Sequence, residues 1–263
     1  MGSLKKLKAI LKEMGSVLVA YSGGVDSTFL LKVASDLLGN NILAVTADSP
    51  TYTSEELVFA KQTAKALGVR HKIIKTKELQ DKNFSSNPIS RCYFCKTELF
   101  SRLKKIARTN NLNFVIDASN ASDKKDFRPG SKAKKELGIR SPLQEAGLSK
   151  ADIRKLSRSL SLMTWDKPSL ACLASRIPYG TRISSDLLKR VNRAETYLRK
   201  LGFKQVRLRH YNGLCRIEVS KNDIPGLLRK RTQVIQKLKN IGYNYITLDL
   251  EGYRTGSMNE VIK

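Results

Sequence analysis

Six consecutive residues, Ser22-Gly23-Gly24-Val25-Asp26-Ser27, carry the sharpest chemical signal in the chain. They follow a short β-branched run and open an apolar helical pattern. Paired glycines let a backbone turn tightly and approach a ligand closely. Amides at a helix start point outward at the positive end of the helix dipole, a setting that favours phosphate. The Ser22 and Ser27 hydroxyls add donors. No Gly-Lys-Ser/Thr follows, so the loop departs from the Walker pattern.

The cysteines are the second signal. Cys92 and Cys95 form a C-x-x-C within RCYFCK at the start of a helical stretch. Helix-start amides and the neighbouring Arg91 and Lys96 favour thiolate there. Cys172 lies in a Pro-containing loop, PSLACLASRIPYG, and Cys215 alternates with Ile217 and Val219 as a small core residue would. A zinc site normally wants four ligands, and neither a second C-x-x-C nor a nearby His is present. A redox pair stays open. Three thiolates also suit a [4Fe–4S] cluster with one open iron, with Cys92, Cys95 and Cys172 as its ligands.

Other residues are candidates by position. Asp117, Asn120 and Asp123 follow a strand, where they touch Mg²⁺ or phosphate or merely form a cap or Asx turn. Arg128 precedes Pro129-Gly130 and anchors a turn. Arg176 stands four residues after Cys172 and is a candidate for binding substrate phosphate or carboxylate, because a guanidinium fork matches both. Arg207 and Arg209 share one strand face, as a substrate site or as solvated surface. His71 and His210 both sit in strands and are expected to be structural, as Trp165 is expected to be packing.

These groups need elements to hold them. Leu4, Leu7, Ile10, Leu11 and Met14 recur at helical spacing over 3–13. Strands are expected at 16–21, 42–46, 71–75 and 113–117, with helices at 28–38, 54–67 (capped by Ser54) and 96–108. Strands alternating with helices imply a parallel sheet with helices on both faces. After about residue 165 the pattern changes. Residues 166–182 lack a period and form a long loop. Helices at 184–201 and 223–240 and strands at 205–210, 214–220 and 243–250 then make a small α+β unit.

Composition bounds the function. The 263 residues carry 49 Lys plus Arg against 23 Asp plus Glu, a net charge of +26. Such an excess suits nucleic acid, acidic lipid or small anions. No RNA-binding signature with interleaved aromatics is present, so nucleic acid is not expected. No apolar run approaches the roughly 20 residues of a membrane helix. The amphipathic N-terminus lacks the apolar block of a signal peptide, and four cysteines are too few for a disulfide scaffold. A cytoplasmic protein is expected.

The Ser22–Ser27 loop resembles the PP-loop of ATP pyrophosphatases. That resemblance implies cleavage of ATP between the α- and β-phosphates, with Ser22, Gly23, Gly24, Val25, Asp26 and Ser27 around the pyrophosphate. Asp26 would serve Mg²⁺ or phosphate, and Thr46 and Ala47 would present backbone to adenine. Further motifs widen the likeness: the RCYFCKTELF helix, DASNASD, DFRPG, RSPL, KPSLACLASRIPYG and GYRTGSMNE. Together they resemble the LarE family essentially end to end. The family implies ATP-dependent sulfur transfer to a carboxylate of pyridinium-3,5-biscarboxylic acid mononucleotide. It implies sulfide or another sulfur donor, ATP and Mg²⁺ as cofactors, and a homo-oligomer. Some members donate sulfur from their own cysteine, which Cys172 matches; the extra pair Cys92 and Cys95 favours a cluster instead. The expected catalytic residues are thus Cys172, Asp26 and Arg176, with Arg176, Arg207 and Arg209 on the substrate. A tRNA thiolation enzyme and a non-catalytic nucleotide module are the rivals. The expected organisation is an α/β PP-loop domain over 1–165, a cysteine-bearing loop over 166–182 and a smaller α+β C-terminal domain over 183–263.

Overall fold

A computed structural model describes residues 2–125, 129–168 and 171–260; Arg128 lies outside them. The chain divides into two compact units, one of residues 1–84 and 89–170, the other of 85–88 and 171–263. Among the described residues no helix is long and apolar enough to cross a membrane.

The first unit runs α1 (Gly2–Met14), β1 (Val17–Ala20), α2 (Val25–Leu38), β2 (Ile42–Asp48), α3 (Ser54–Ala66), β3 (His71–Lys75) and the single turn α4 (Lys82–Ser85). It continues with α5 (Arg91–Thr109), β4 (Phe114–Ile116), α6 (Gly130–Glu136), α7 (Pro142–Glu145) and α8 (Lys150–Ser159). The strands form one parallel sheet in the order β3-β2-β1-β4. Side chains alternate across a strand, and here the alternation divides two cores. Val17, Val19, Ile42, Ala44 and Ile116 join Leu7, Leu11, Phe29, Leu30 and Ile153 on one face. Leu18, Leu43, Val45 and Val115 join Phe100 and Leu103 of α5 on the other. Both faces are therefore covered by helices, as the strand–helix alternation implies.

Three local differences have clear causes. α2 begins at Val25 rather than Thr28, which puts Asp26 and Ser27 in its first turn. α3 is capped by Thr53, not Ser54: the Glu56 amide donates to the Thr53 hydroxyl at 3.2 Å, and the Thr53 amide to Glu56 at 3.3 Å, a reciprocal capping box. Trp165 is 37% exposed, with the Arg158 guanidinium 5.0 Å from its ring centroid, so a cation covers it rather than a core.

The second unit contains α9 (Ser185–Lys200), β5 (Val206–Tyr211), β6 (Leu214–Val219), α10 (Ile224–Arg229), α11 (Arg231–Ile241) and β7 (Tyr245–Leu248). β6 is central, antiparallel to β5 and parallel to β7. The helix expected over 223–240 is two helices that meet at Lys230, whose ammonium donates to the Leu201 carbonyl at 2.8 Å. α9 packs against β5, and α11 against α9 and β7. Val206, Leu208, Ile217 and Val219 are buried, and Cys215 is fully buried, its thiol pushed up to about 12 by desolvation. It is a core residue, as its alternation implies.

Candidate active site

The loop after β1 is shaped by position as well as composition. Gly23 has φ +70°, and a Cβ there would lie 2.9 Å from the Ala60 Cβ and 3.0 Å from the Ala60 Cα of α3. Only glycine satisfies both limits. The Ser22 and Ser27 hydroxyls lie 3.1 Å apart, and the Ser27 hydroxyl donates to the Gly24 carbonyl at 3.2 Å. Gly24 is the N-cap of α2, and no side chain caps that helix. First-turn amides of an uncapped helix, at the positive dipole end, favour an anion.

Charged groups arrive from far along the chain. The Lys150 ammonium, at the first residue of α8, pairs with Asp26 Oδ2. Asp26 Oδ1 is buried with no hydrogen-bond partner. An orphaned carboxylate oxygen beside a phosphate-type cradle suits a divalent cation, so this site fits Mg²⁺. The Lys167 ammonium donates to the Gly23 carbonyl at 3.1 Å and lies 3.8 Å from the Phe59 ring centroid. Burial lowers the Lys167 pKa from its ordinary value, against the opposing pull of Glu56.

A cleft opens at the carboxyl ends of the strands, where parallel α/β sheets bind ligands. Its apolar end is lined by Tyr21, Val45, Thr46, Ala47, Tyr52, Leu57, Leu99 and Leu103. The Thr46 hydroxyl donates to the Tyr21 carbonyl at 2.8 Å, so it accepts from His71 Nε2, also at 2.8 Å. This fixes the proton of His71 on Nε2, and desolvation, helped by Lys61, lowers its pKa. His71 thus braces the strand end, a structural role. The polar end is lined by Ser22, Asp26, Ser27, Lys96, Asn120, Asp123 and Lys150. Asp123 Oδ2 accepts from the Asn120 amide at 2.9 Å, so the residue caps a turn and faces the cleft as well. Asp117 is held differently. Burial would raise its carboxyl, but Lys134, Ser141 and Ser119 together bring it below its ordinary value. Its oxygens are engaged by the Lys134 ammonium at 3.1 Å and the Ser141 hydroxyl at 2.6 Å.

Cys92 and Cys95 occupy the first turns of α5 in the first unit, the former exposed and the latter half-buried. Cys172 belongs to the second unit and precedes a 3-10 turn, Leu173–Arg176. Among the described residues no group of three or more Cys, His, Asp or Glu side chains is placed to hold a metal ion.

The arginines differ most from expectation. The face of β5 that carries Arg207 and Arg209 is not solvated: they are 4% and 5% exposed. Arg209 forks onto Glu218 at 2.9 and 2.7 Å and donates to the Ser175 carbonyl at 2.9 Å. Arg207 stacks 5.2 Å from the Tyr253 ring centroid. Arg176, 1% exposed, forks onto buried Glu195 at 2.8 and 3.0 Å. Its Nη1 donates to the Ala171 carbonyl at 2.6 Å, the Cys172 carbonyl at 3.1 Å and the Ser175 hydroxyl at 2.9 Å. The forks assigned to substrate close on carboxylates of the same unit, because Glu195 and Glu218 are supplied by α9 and β6. What Arg176 and Arg209 hold is the turn that carries Cys172.

Comparison with known proteins fits this geometry. The asparagine synthase family matches residues 8–86, the stretch that holds the loop and the first three strands. The chain is 41% identical, over 97% of its length and 93% of the relative's, to the pyridinium-3,5-bisthiocarboxylic acid mononucleotide synthase of Lactiplantibacillus plantarum. The chain belongs to the LarE family. An uncharacterized protein of Synechocystis sp. is 45% identical over 98% of this chain and 97% of its own. The NH(3)-dependent NAD(+) synthetase of Chlorobaculum tepidum is 35% identical over 75 residues, 28% of this chain and 27% of that one. In this LarE-family chain, Ser22, Gly24, Asp26, Ser27, Thr46, Ala47 and Asp123 line the cleft of the first unit, whereas Val25 is buried in the core. Lys150 and Lys167 join them, and sequence reasoning missed both. Lys150 sits in no recognisable motif and Lys167 opens the KPSLACLASRIPYG stretch without any local sign of its partner, since each meets the loop only through the tertiary fold.

Proposed function

We propose that the chain is an ATP-dependent sulfurtransferase. It adenylates a carboxylate of pyridinium-3,5-biscarboxylic acid mononucleotide and converts it to a thiocarboxylate. The observation that carries this is the uncapped start of α2, with Gly23 and Gly24 at the carboxyl end of a parallel sheet. Family membership supplies the substrate class. In the first step a carboxylate oxygen attacks the α-phosphorus, and the bond to the α–β bridging oxygen breaks. Pyrophosphate leaves into the loop, where the α2 amides and the Ser22 and Ser27 hydroxyls receive it. The apolar end of the cleft, with Tyr52 and Leu57, takes the adenine beside the Thr46 and Ala47 backbone. Mg²⁺, when bound, neutralises charge on the phosphoryl oxygens, and Asp26 Oδ1 is the protein atom suited to hold it. Preorganised donors of this kind stabilise charge where it develops in the transition state. In the second step a sulfur nucleophile attacks the acyl carbon, the bond to AMP breaks, and AMP leaves.

Two sulfur sources suit the cysteines. Cys92, Cys95 and Cys172 are the residues that would hold a [4Fe–4S] cluster, which would supply a position for sulfide, a reading supported by the C-x-x-C pair. Alternatively the Cys172 thiolate attacks the acyl adenylate and AMP leaves; a base then takes the Cys172 α-proton, the Cβ–Sγ bond breaks, and the thiocarboxylate is released with dehydroalanine left at 172, a reading supported by the network that fixes its turn. Arg176 and Arg209 act in either case as positioning residues for that turn, and Arg207 stays a candidate for the anionic substrate. A cytoplasmic homo-oligomer is the assembly this reading carries. Asp26→Ala and Ser27→Ala test the core of it. Both should abolish acceptor-dependent pyrophosphate release with the circular dichroism spectrum unchanged, and wild-type turnover in both would overturn the reading.

A further inference from the structure

Asp26 presents a charge problem at the mouth of an anion site. Its carboxylate lies in the first turn of α2, where the helix dipole favours a negative group. The same turn is where phosphates would bind, and like charges in a partly desolvated cleft repel. The two oxygens meet different surroundings. Oδ2 is paired with Lys150, whereas Oδ1 is buried and has no partner.

Lys150 is not a casual surface cation. It starts α8, whose N-cap Ser149 forms a capping box with Asp152. Its own amide donates to the Ser122 hydroxyl at 3.2 Å, and Ile153, one turn on, is buried in the core shared with α2. The helix start is thus fixed, and the ammonium spans 124 residues of sequence to reach Asp26. The side chains are 32% and 23% exposed, both lining the polar cleft. Lys32 and Asp36, by contrast, form an i,i+4 pair with the aspartate 51% exposed. An ammonium on a flexible stem is a compact point charge that exchanges readily, unlike a guanidinium fork.

We propose that Lys150 is an exchangeable counter-ion of Asp26, a positioning residue that a divalent cation replaces when nucleotide binds. The inference rests on the nucleotide reading of the loop. Without metal, Lys150 neutralises Asp26 and lets a polyphosphate approach. With metal on the Asp26 carboxylate, that neutralisation is no longer required of Lys150. Removing the ammonium therefore penalises metal-free binding more than metal-loaded binding, and frees Asp26 for the cation.

The test is calorimetric binding of α,β-methylene ATP, which the reaction cannot cleave, to wild type, Lys150→Gln and Lys150→Arg, in EDTA and in Mg²⁺. Thermal melts confirm that each variant is folded. Lys150→Gln should enlarge the ratio of Mg²⁺ to EDTA affinities about tenfold over wild type. It should also lower the Mg²⁺ concentration for half-maximal binding, and Lys150→Arg should lie nearer wild type. An unchanged ratio overturns the proposal, whether affinity falls uniformly (a simple phosphate ligand) or stays the same (an incidental ion pair). A wild type that binds no nucleotide even with Mg²⁺ overturns the nucleotide reading and this inference with it.

Discussion

Replacing Arg176 with Met separates two roles that the sequence alone cannot distinguish. A substrate-binding guanidinium would be dispensable for folding. Arg176 is 1% and Glu195 0% exposed, and the pair is joined by two hydrogen bonds at 2.8 and 3.0 Å. Glu195 also accepts from the Leu208 amide at 3.0 Å and from Arg199 at 3.2 Å. Removing one member of a buried pair leaves the other charge uncompensated and typically costs about 3–5 kcal/mol. The Ala171 and Cys172 carbonyls lose a donor as well. For a unit of this size about 3 kcal/mol corresponds to a melting shift of roughly 12 °C or more. Urea unfolding followed by far-ultraviolet circular dichroism measures it, and Arg176→Met with Glu195→Leu should recover most of the loss. The pH dependence gives a second readout. Burial alone would raise the Glu195 carboxyl, but Arg176, Arg207 and the Leu208 amide hold it below its ordinary value. A carboxyl depressed by folding stabilises the native state above its unfolded pKa of about 4.3, and that contribution fades as pH falls through the lower folded value. Arg176→Met should therefore shrink this part of the acid-unfolding limb. A variant with wild-type stability and only a raised KM for the acceptor would refute the argument and restore the substrate fork.

Two further outcomes follow from the loop and the cysteines. Gly23→Ala should destabilise the first unit by about 2 kcal/mol or more, because the positive φ alone costs about 1–2 kcal/mol and the new Cβ meets the Ala60 backbone at 3.0 Å. Gly24→Ala, at φ −82° with the nearest atom 3.5 Å away, should leave stability near wild type, and equal melting curves for the two would contradict this. Protein purified anaerobically should carry about four irons and four acid-labile sulfides per chain if the cluster reading holds, with Cys92→Ser and Cys95→Ser losing them. Iron-free protein whose Cys172 peptide loses one sulfur after a single turnover would decide for direct donation.

The sequence displayed what depends on local pattern. β1 was legible because its apolar run is bounded by Gly15 and Gly23, and β2 to β4 because short strand-like runs alternate with stretches of helical spacing. The loop was legible because its glycines and hydroxyls are contiguous. α6 was not, since GSKAKKE offers one buried residue, Ala133, to a period search. α8 likewise buries only Ile153 and Ser157. Thr53 lost the cap to Ser54 in the sequence because both are good caps; the reciprocal bond to Glu56 decides it. The alternation of Val206, Leu208 and His210 with Arg207 and Arg209 correctly separates two faces of β5. It does not show that both are covered, because the carboxylates facing the arginines come from other elements.

The positive charge of the chain therefore has two chemical uses, and residue type separates them. In the second unit Arg176 and Arg209 face Glu195 and Glu218 through planar forks, buried where a guanidinium holds a fixed geometry. In the first unit the cations at the loop are lysines: Lys150 on Asp26, Lys167 on the Gly23 carbonyl and Lys96 lining the cleft. A site that must admit a polyphosphate, release pyrophosphate and then release AMP needs cations that can change partners. Exchanging Lys150 for arginine keeps the charge and so tests charge alone. If the stem's freedom also matters, that variant should bind nucleotide with metal-free affinity near wild type yet release it more slowly, which stopped-flow displacement would measure.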